Sequence, residues 1–369
     1  MERRISLEPV HPGEYLADEL EARGWTQDDL AEVLGRSRNH INRLVQGKTA
    51  VTPESAHELA KAFGTSAELW MNLQVSYELA AAAKENRDIE RKAKVYVKAP
   101  IRDLVKRGWL PPLDGVEDME NKVCKFLKIP TIDAESGLKV AARKSTSYVA
   151  DTPAQIAWFR RAEQLGQCVG AAAYKDDAFP DLVSELKKLA AYPEDARRVP
   201  KLLADFGVRL VLLEHLPKTK IDGGALWLDQ QSPVVALALR FDRIDNFWHT
   251  LMHELIHVRD RDEPAVDSDM MGDDQELPSV EQKANAEACN YLIPKEKLDS
   301  FIVRHKPLYY QTKVVQFAQA RGVHPGIVVG QLQHRKEIDW QQLRKLLVKI
   351  RHEVIGQTIT DGWGNLPRF

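Results

Sequence analysis

The sequence predicts a multidomain, mainly α protein: an N-terminal five-helix bundle, a central α+β domain with a small sheet, and additional C-terminal helices. Three observations predict it. Capped helical segments follow one another through residues 12–82, β-rich runs cluster between residues 208 and 239, and His253-Glu-Leu-Ile-His257 lies in an otherwise apolar stretch. The length of 369 residues suits two or three domains at roughly 100–200 residues each. Charged residues make up 29% and hydrophobic ones 44%, the balance of an ordinary globular chain. A net charge of −2 argues for neither a nucleic-acid-coating nor a membrane-surface protein.

Each helix of the first segment has its own signals. Pro12 and Gly13 open the first, with Tyr15, Leu16 and Leu20 on one face. Thr26 caps the second, places Asp28 and Asp29 in its first turn, and gives way at Gly35. Ser37 caps a third, which carries Ile41 and Leu44 and ends at Gly47. Thr52 and Pro53 start a fourth, and Thr65 or Ser66 a fifth running through Trp70 and Leu73. Residues 84–115 then read as a charged connector, broken at Pro111, Pro112 and Gly115. Residues 116–200 read as helices and loops that carry no recognisable chemistry.

From residue 201 the pattern changes. Val208–Leu213, Ala225–Leu228 (after Gly223-Gly224) and Val234–Leu239 read as strands ahead of the helix bearing His253. A polar stretch, Arg259–Pro278, reads as a mobile loop, and Val280–Leu292 as a second helix stopped by Pro294. Residues 201–295 therefore form the chemical core, and residues 296–369 further helices followed by a tail. The N-terminus lacks the apolar core of a signal peptide, and no run approaches the ~18–20 apolar residues of a membrane span. Cys124, Cys168 and Cys289 are widely spaced and fit reduced, packed thiols. A cytoplasmic protein is expected.

His-x-x-x-His on a helix sets two imidazoles on one face, within reach of one ion. The intervening Glu254 stands close enough to take a proton from water there. Imidazole and carboxylate donors suit Zn2+. Phe247, Trp248, Leu251, Met252, Leu255, Ile256 and Val258 surround the motif, so the helix is buried. Two histidines and a glutamate on a buried helix are poorly explained as packing. A third ligand must come from the acids between Asp260 and Glu287, most of which lie in the polar loop. Glu281 sits in a helix with Ala284, Ala288 and Leu292 and can face the same core, whereas Glu287 lies mostly on another face. His249, one turn before His253, reads as a neighbour or outer-sphere group rather than a ligand. The sequence does not identify an oxyanion donor; Arg240 and His249 are candidates.

Residues 26–47 have the length of a helix-turn-helix, whose second helix enters the major groove. Arg38, Asn39, Asn42 and Arg43 lie early in that helix, where Arg reads guanine and Asn reads adenine. Gln27 and Lys48 flank it as phosphate contacts, and Arg36 adds to the positive charge on the DNA side. Residues 1–83 hold 8 Lys and Arg against 13 Asp and Glu, but Arg36 to Lys48 contains no acid, so the positive charge is local.

Both halves resemble known families. Residues 11–82, with His-Pro-Gly-Glu-Tyr-Leu, Gly-Trp-Thr-Gln-Asp-Asp-Leu-Ala, Ile-Asn-Arg-Leu-Val-Gln-Gly-Lys and Phe-Gly-Thr-Ser-Ala-Glu-Leu-Trp, resemble the HigA-type antitoxins of the lambda-repressor-like (XRE) helix-turn-helix family. That resemblance implies a homodimer that binds operator DNA, represses its own operon and pairs with a RelE/HigB-like toxin. Residues 205–295, with Lys220-Ile-Asp-Gly-Gly-Ala-Leu-Trp, Arg240-Phe-Asp-Arg-Ile-Asp-Asn-Phe-Trp, His253-Glu-Leu-Ile-His and Glu281 to Pro294, resemble the ImmA/IrrE zinc metallopeptidases. This second resemblance implies a zincin-like fold with His253, His257 and Glu281 as zinc ligands, Glu254 as general base and Asn285 beside them. It also implies a protein substrate such as a helix-turn-helix repressor. The chain departs from that family at His249, where an aromatic is usual, and at Cys289-Asn290. Together the readings give a DNA-binding regulator or antitoxin with a zinc peptidase domain. The alternative is a non-catalytic antitoxin or sensor whose zinc domain grips a toxin or ligand.

Overall fold

The computed structural model describes residues 10–85, 87–135, 152–262, 267–268 and 279–367. The chain divides into two compact units, residues 1–93 and 94–369.

The first unit holds α1 (Pro12–Arg23), α2 (Gln27–Leu34), α3 (Arg38–Val45), α4 (Pro53–Phe63) and α5 (Ala67–Glu85), the five helices read from the sequence. Thr26 and Asp29 cap α2 reciprocally: Oγ1 of Thr26 accepts from the Asp29 amide at 3.2 Å, and Oδ2 of Asp29 accepts from the Thr26 amide at 2.7 Å. Gly35 then turns the chain at φ +63° into Ser37, whose hydroxyl caps α3. A Cβ at Gly13 would collide with the Leu44 and Val45 carbonyls, so glycine lets the start of α1 press on the end of α3. Leu16, Leu30, Ile41, Leu59, Phe63 and Trp70 fill the core.

Helix α6 (Arg87–Lys98) leads into the second unit. There follow α7 (Ile101–Lys106), α8 (Gly115–Leu127), α9 (Pro153–Gly166), α10 (Phe179–Lys188) and α11 (Val199–Asp205). The sheet comes next, as β1 (Arg209–Leu213), β2 (Ile221–Trp227) and β3 (Pro233–Leu237). Then come α12 (Ile244–Asp260), β4 (Asp267–Ser268), α13 (Ser279–Leu292), α14 (Lys295–His305), α15 (Gln311–Arg321), α16 (Pro325–His334), α17 (Arg351–Val354) and β5 (Thr360–Asp361). No helix among the described residues is long and apolar enough to cross a membrane.

The strands lie in the order β4-β2-β3-β1-β5. Strand β1 pairs parallel with β3 and β5, and β2 pairs antiparallel with β3 and β4. Side chains alternate across the sheet. Leu210, Leu212, Val235 and Leu237 face a core shared with α12, α13 and α16, whereas Val211, Leu213, Val234 and Ala236 face one shared with α8 and α9. The sheet is thus buried on both faces, which is why β1 and β3 read as unbroken apolar runs.

Two expectations need correcting. Strand β2 runs through Gly223-Gly224 instead of starting after them. A Cβ at Gly224 would stand 2.7 Å from the Phe159 ring, and one at Gly223 2.7 Å from Thr250 Cγ2, so the glycines admit helices on both faces. The segment read as a C-terminal tail instead supplies β5, with Leu212 beside Thr360 and Leu213 beside Asp361. Asp361 is buried and accepts from Arg161 Nε at 2.7 Å.

Candidate metal centre and DNA-reading helix

Helix α12 lies across β2 and β3, with α13 and α16 on its other sides. It is buried along nearly its whole length, so its polar residues need partners. His253 and His257 stand one turn apart with Nε2 atoms 2.9 Å from each other. Glu281, from the first turn of α13, brings Oε2 to 3.1 Å from His253 Nε2 and 3.5 Å from His257 Nε2. Three donors each bound at about 2.0–2.2 Å to one tetrahedral ion stand roughly 3.3–3.5 Å apart. Two imidazoles and one carboxylate at this spacing, all buried, fit Zn2+ with a fourth position left for water. The other acids are engaged elsewhere: Arg259 holds Asp260 and Glu287, at 2.6 and 2.7 Å. Asp262 meets His257, Asp267 lies in β4, and the remaining acids of the polar loop lie outside the described residues.

Asp262 was weighed in the sequence only as one of many loop acids. Arg261 turns the end of α12 into the left-handed region at φ +52°, and this brings Asp262 Oδ2 to 3.0 Å from His257 Nδ1. A carboxylate there would fix the tautomer that leaves Nε2 free to hold an ion. The signal for it was present: an acid five residues beyond the second histidine, just past a helix end.

Glu254 is 1% exposed and sits against β2, where a Cβ at Gly223 would lie 2.8 Å from its Oε1. The variant Gly223→Ala should therefore displace Glu254 while sparing the ion ligands. We expect a stability loss of about 1–3 kcal/mol with zinc content unchanged, read by unfolding and by metal analysis. His249 stacks on His253 with centroids 6.3 Å apart and is not among the converging donors. Burial, then the neighbouring His253 and His334, push its imidazole down to about 3, which keeps it neutral. Asn285, one turn after Glu281, has a buried Oδ1 with no hydrogen-bond partner among the described residues. Arg240 does not stand free as an oxyanion donor: it forks onto the buried Asp222 at 2.9 and 3.1 Å.

Without metal, burial pulls the His257 imidazole down, but the Glu281 hydrogen bond and the Glu254 and Glu281 charges outweigh it, lifting it from 6.5 to about 10. Burial raises the Glu281 carboxyl, but hydrogen bonds from His253 and His257 carry it from 4.5 down to about 2. The raised histidine contributes stability in full below pH 6.5 and loses it as pH rises through about 10. The depressed carboxyl contributes above pH 4.5 and loses it as pH falls through about 2. Chelator-treated protein should therefore melt progressively lower as pH rises above 6.5. Zinc loading at neutral pH should release a proton, read by calorimetry in two buffers of different ionisation enthalpy. Loading without proton release would contradict the ion pair.

In the first unit, α3 exposes Arg38, Asn39 and Arg43, with Lys48 just beyond it, while Asn42 and Gln27 are half-buried. Arg38 makes only an exposed contact with Asp28 at 3.3 Å, and Arg43 Nε donates to Thr49 at 3.1 Å; phosphate or base can replace either. Arg36 differs from the sequence expectation. It donates to Glu54 at 2.6 Å and to both oxygens of Glu58 at 2.7 and 3.2 Å, so in the free chain its charge ties α4 to the turn.

Comparison with known proteins bears on this first unit. The HTH_3 helix-turn-helix family matches residues 16–70. Virulence-associated protein I of Dichelobacter nodosus is 35% identical over 81 residues, covering 22% of this chain and 75% of that protein. Antitoxin HigA-1 of Vibrio cholerae is 38% identical over 78 residues, covering 21% and 73%. Among solved structures, Pseudomonas aeruginosa antitoxin HigA with the higBA promoter is 39% identical, covers 21% of this chain and 86% of that one, and has a TM-score of 0.21. With the caps, turn and exposed α3 residues in place, the family match and the two sequence relatives show that the chain belongs to the helix-turn-helix family of DNA-binding transcriptional regulators that includes the HigA antitoxins.

Proposed function

We propose that this regulator binds operator DNA as a homodimer through α3 and that its second unit is a zinc peptidase of the ImmA/IrrE type acting on a protein, such as a helix-turn-helix repressor. The observation carrying the peptidase reading is the convergence of His253 Nε2, His257 Nε2 and Glu281 Oε2 beside the buried Glu254. Zinc, when bound, acidifies water and polarises a carbonyl. Glu254 takes the proton from the attacking water as the new C–O bond forms, then delivers it to the amine as the C–N bond breaks. Asp262 holds His257 in its ligand tautomer, and the enclosed wall of β2 excludes bulk water from Glu254. Zinc content by native mass spectrometry, together with cleavage of a purified repressor, tests the reading. Protein that folds but takes up no zinc would refute it.

DNA binding is tested separately. Arg43→Ala should weaken operator binding and lower the slope of log K against log salt by about one. Arg36→Ala should leave that slope unchanged and instead loosen the turn it ties to α4. An equal slope change for both variants would return Arg36 to the interface. Similarity of the first unit to the antitoxin HigA-1 favours a second reading, in which the chain acts as an antitoxin with a toxin partner and no cleavage occurs. Toxin neutralisation and repression that survive intact in Glu254→Gln cells would favour it.

A further inference from the structure

Asp262 addresses His257 twice. Its amide donates to the His257 carbonyl at 3.1 Å, and its carboxylate meets His257 Nδ1 at 3.0 Å. The amide contact closes the last turn of α12 and sets a residue just past the helix beside the one it closes on. That closure requires the intervening Arg261 to hold the left-handed conformation, at φ 52° and ψ 39°. Glycine is the usual residue at such a place, because a Cβ makes the conformation costly. A strained residue persists where its surroundings over-determine it.

The Arg261 side chain supplies that determination from outside α12. Nη2 donates to both oxygens of Asp176 at 3.1 Å, in the 3-10 turn Asp176–Ala178 ahead of α10. Nη1 donates to the Gln230 carbonyl at 3.2 Å, between β2 and β3. The guanidinium lies over the Trp227 ring at the end of β2, 4.4 Å from its centroid. Trp227 in turn packs edge-to-face with the buried Tyr174, centroids 5.7 Å apart. Arg261 is 44% exposed and Asp176 59%, so their ion pair alone contributes little. One planar group fixed by a carboxylate, a carbonyl and an aromatic face from three separate segments has, however, little freedom left.

We propose that Arg261 is a positioning residue of the metal centre: its tether to Asp176, Gln230 and Trp227 fixes the left-handed turn, and through it the Asp262 carboxylate against His257. The proposal rests on the reading of His253, His257 and Glu281 as zinc ligands. It makes zinc affinity depend on an exposed guanidinium that bonds to none of those three side chains.

Zinc affinity of the full-length protein is read by competition with a chromophoric chelator, and the geometry at His257 by the visible spectrum of the Co2+-loaded protein. Asp262→Asn should weaken zinc binding about 10–100-fold, the range for a lost partner of a ligating histidine. Arg261→Gly keeps the left-handed turn accessible and removes only the tether. It should leave the melting of metal-free protein near wild type, weaken zinc about three- to tenfold and shift the Co2+ bands. Asp176→Ala, 85 residues away from Arg261 in the chain, should act in the same direction. In an Asp262→Asn background, Arg261→Gly should weaken zinc no further, since its effect runs through that carboxylate. Zinc binding by Arg261→Gly as tight as wild type, or a loss that persists undiminished in Asp262→Asn, would overturn the proposal while wild type still binds zinc. Wild-type protein that binds none would instead remove the metal reading, and this role with it.

Discussion

Glu254→Gln should leave zinc bound and the fold intact while lowering peptide cleavage by about 10²–10⁴-fold, the range of a lost general base. Glutamine keeps the shape of glutamate, and the Glu254 side chain is confined by β2 at Gly223, so the substitution removes a proton acceptor without opening a gap. The proposed ion ligands are other residues, and metal content should match wild type. The measurements are zinc by mass spectrometry and the cleavage rate of a repressor substrate on the same preparation. Wild-type cleavage by the variant would remove Glu254 from the chemistry.

Trp158→Ala should destabilise the second unit by about 3–5 kcal/mol. Trp158 is fully buried, meets Phe159 edge-on at 5.3 Å, and donates from Nε1 to the Leu213 carbonyl at 3.1 Å. Its ring also reaches the space left by Gly224 on β2. Alanine leaves a large cavity between α9 and the sheet and strips the Leu213 carbonyl of that bond. Urea unfolding monitored on the second unit should show the shift, and a loss below about 1 kcal/mol would mean that α9 does little to seal this face. Melting of residues 1–93 should not change.

Legibility in the sequence followed the range of the interactions. The first five helices were readable because Thr26, Gly35, Ser37 and Pro53 act on their own neighbours. The histidine pair was readable because one helical turn brings both rings together whatever surrounds them. Glu281 was favoured among several acids by its helix face, and the family resemblance selects the same residue; its approach depends on how α13 packs on α12. The ion pairs of Arg36 were not legible because its partners Glu54 and Glu58 lie 18 and 22 residues away, outside a local count of acids between residues 36 and 48. Asp262 had a signal in its place just past the helix end, but its approach to His257 also needed the left-handed turn at Arg261, which an arginine does not announce. Likewise β5 is two residues long and has no period to detect; only its fit beside β1 makes it a strand.

That late strand has a consequence for how the protein is made. Strand β1 is synthesised about 150 residues before its parallel neighbour at Thr360–Asp361 (Arg161 and Asp361 are themselves 200 apart). On the ribosome the outer margin of β1 therefore stays bare of its hydrogen-bonding neighbour until the last part of the second unit emerges. The five-helix unit, built from contacts within its own segment, has by then long been able to fold. A nascent chain thus acquires its DNA-reading half first and carries an open β edge meanwhile, the kind of edge that invites pairing with another chain.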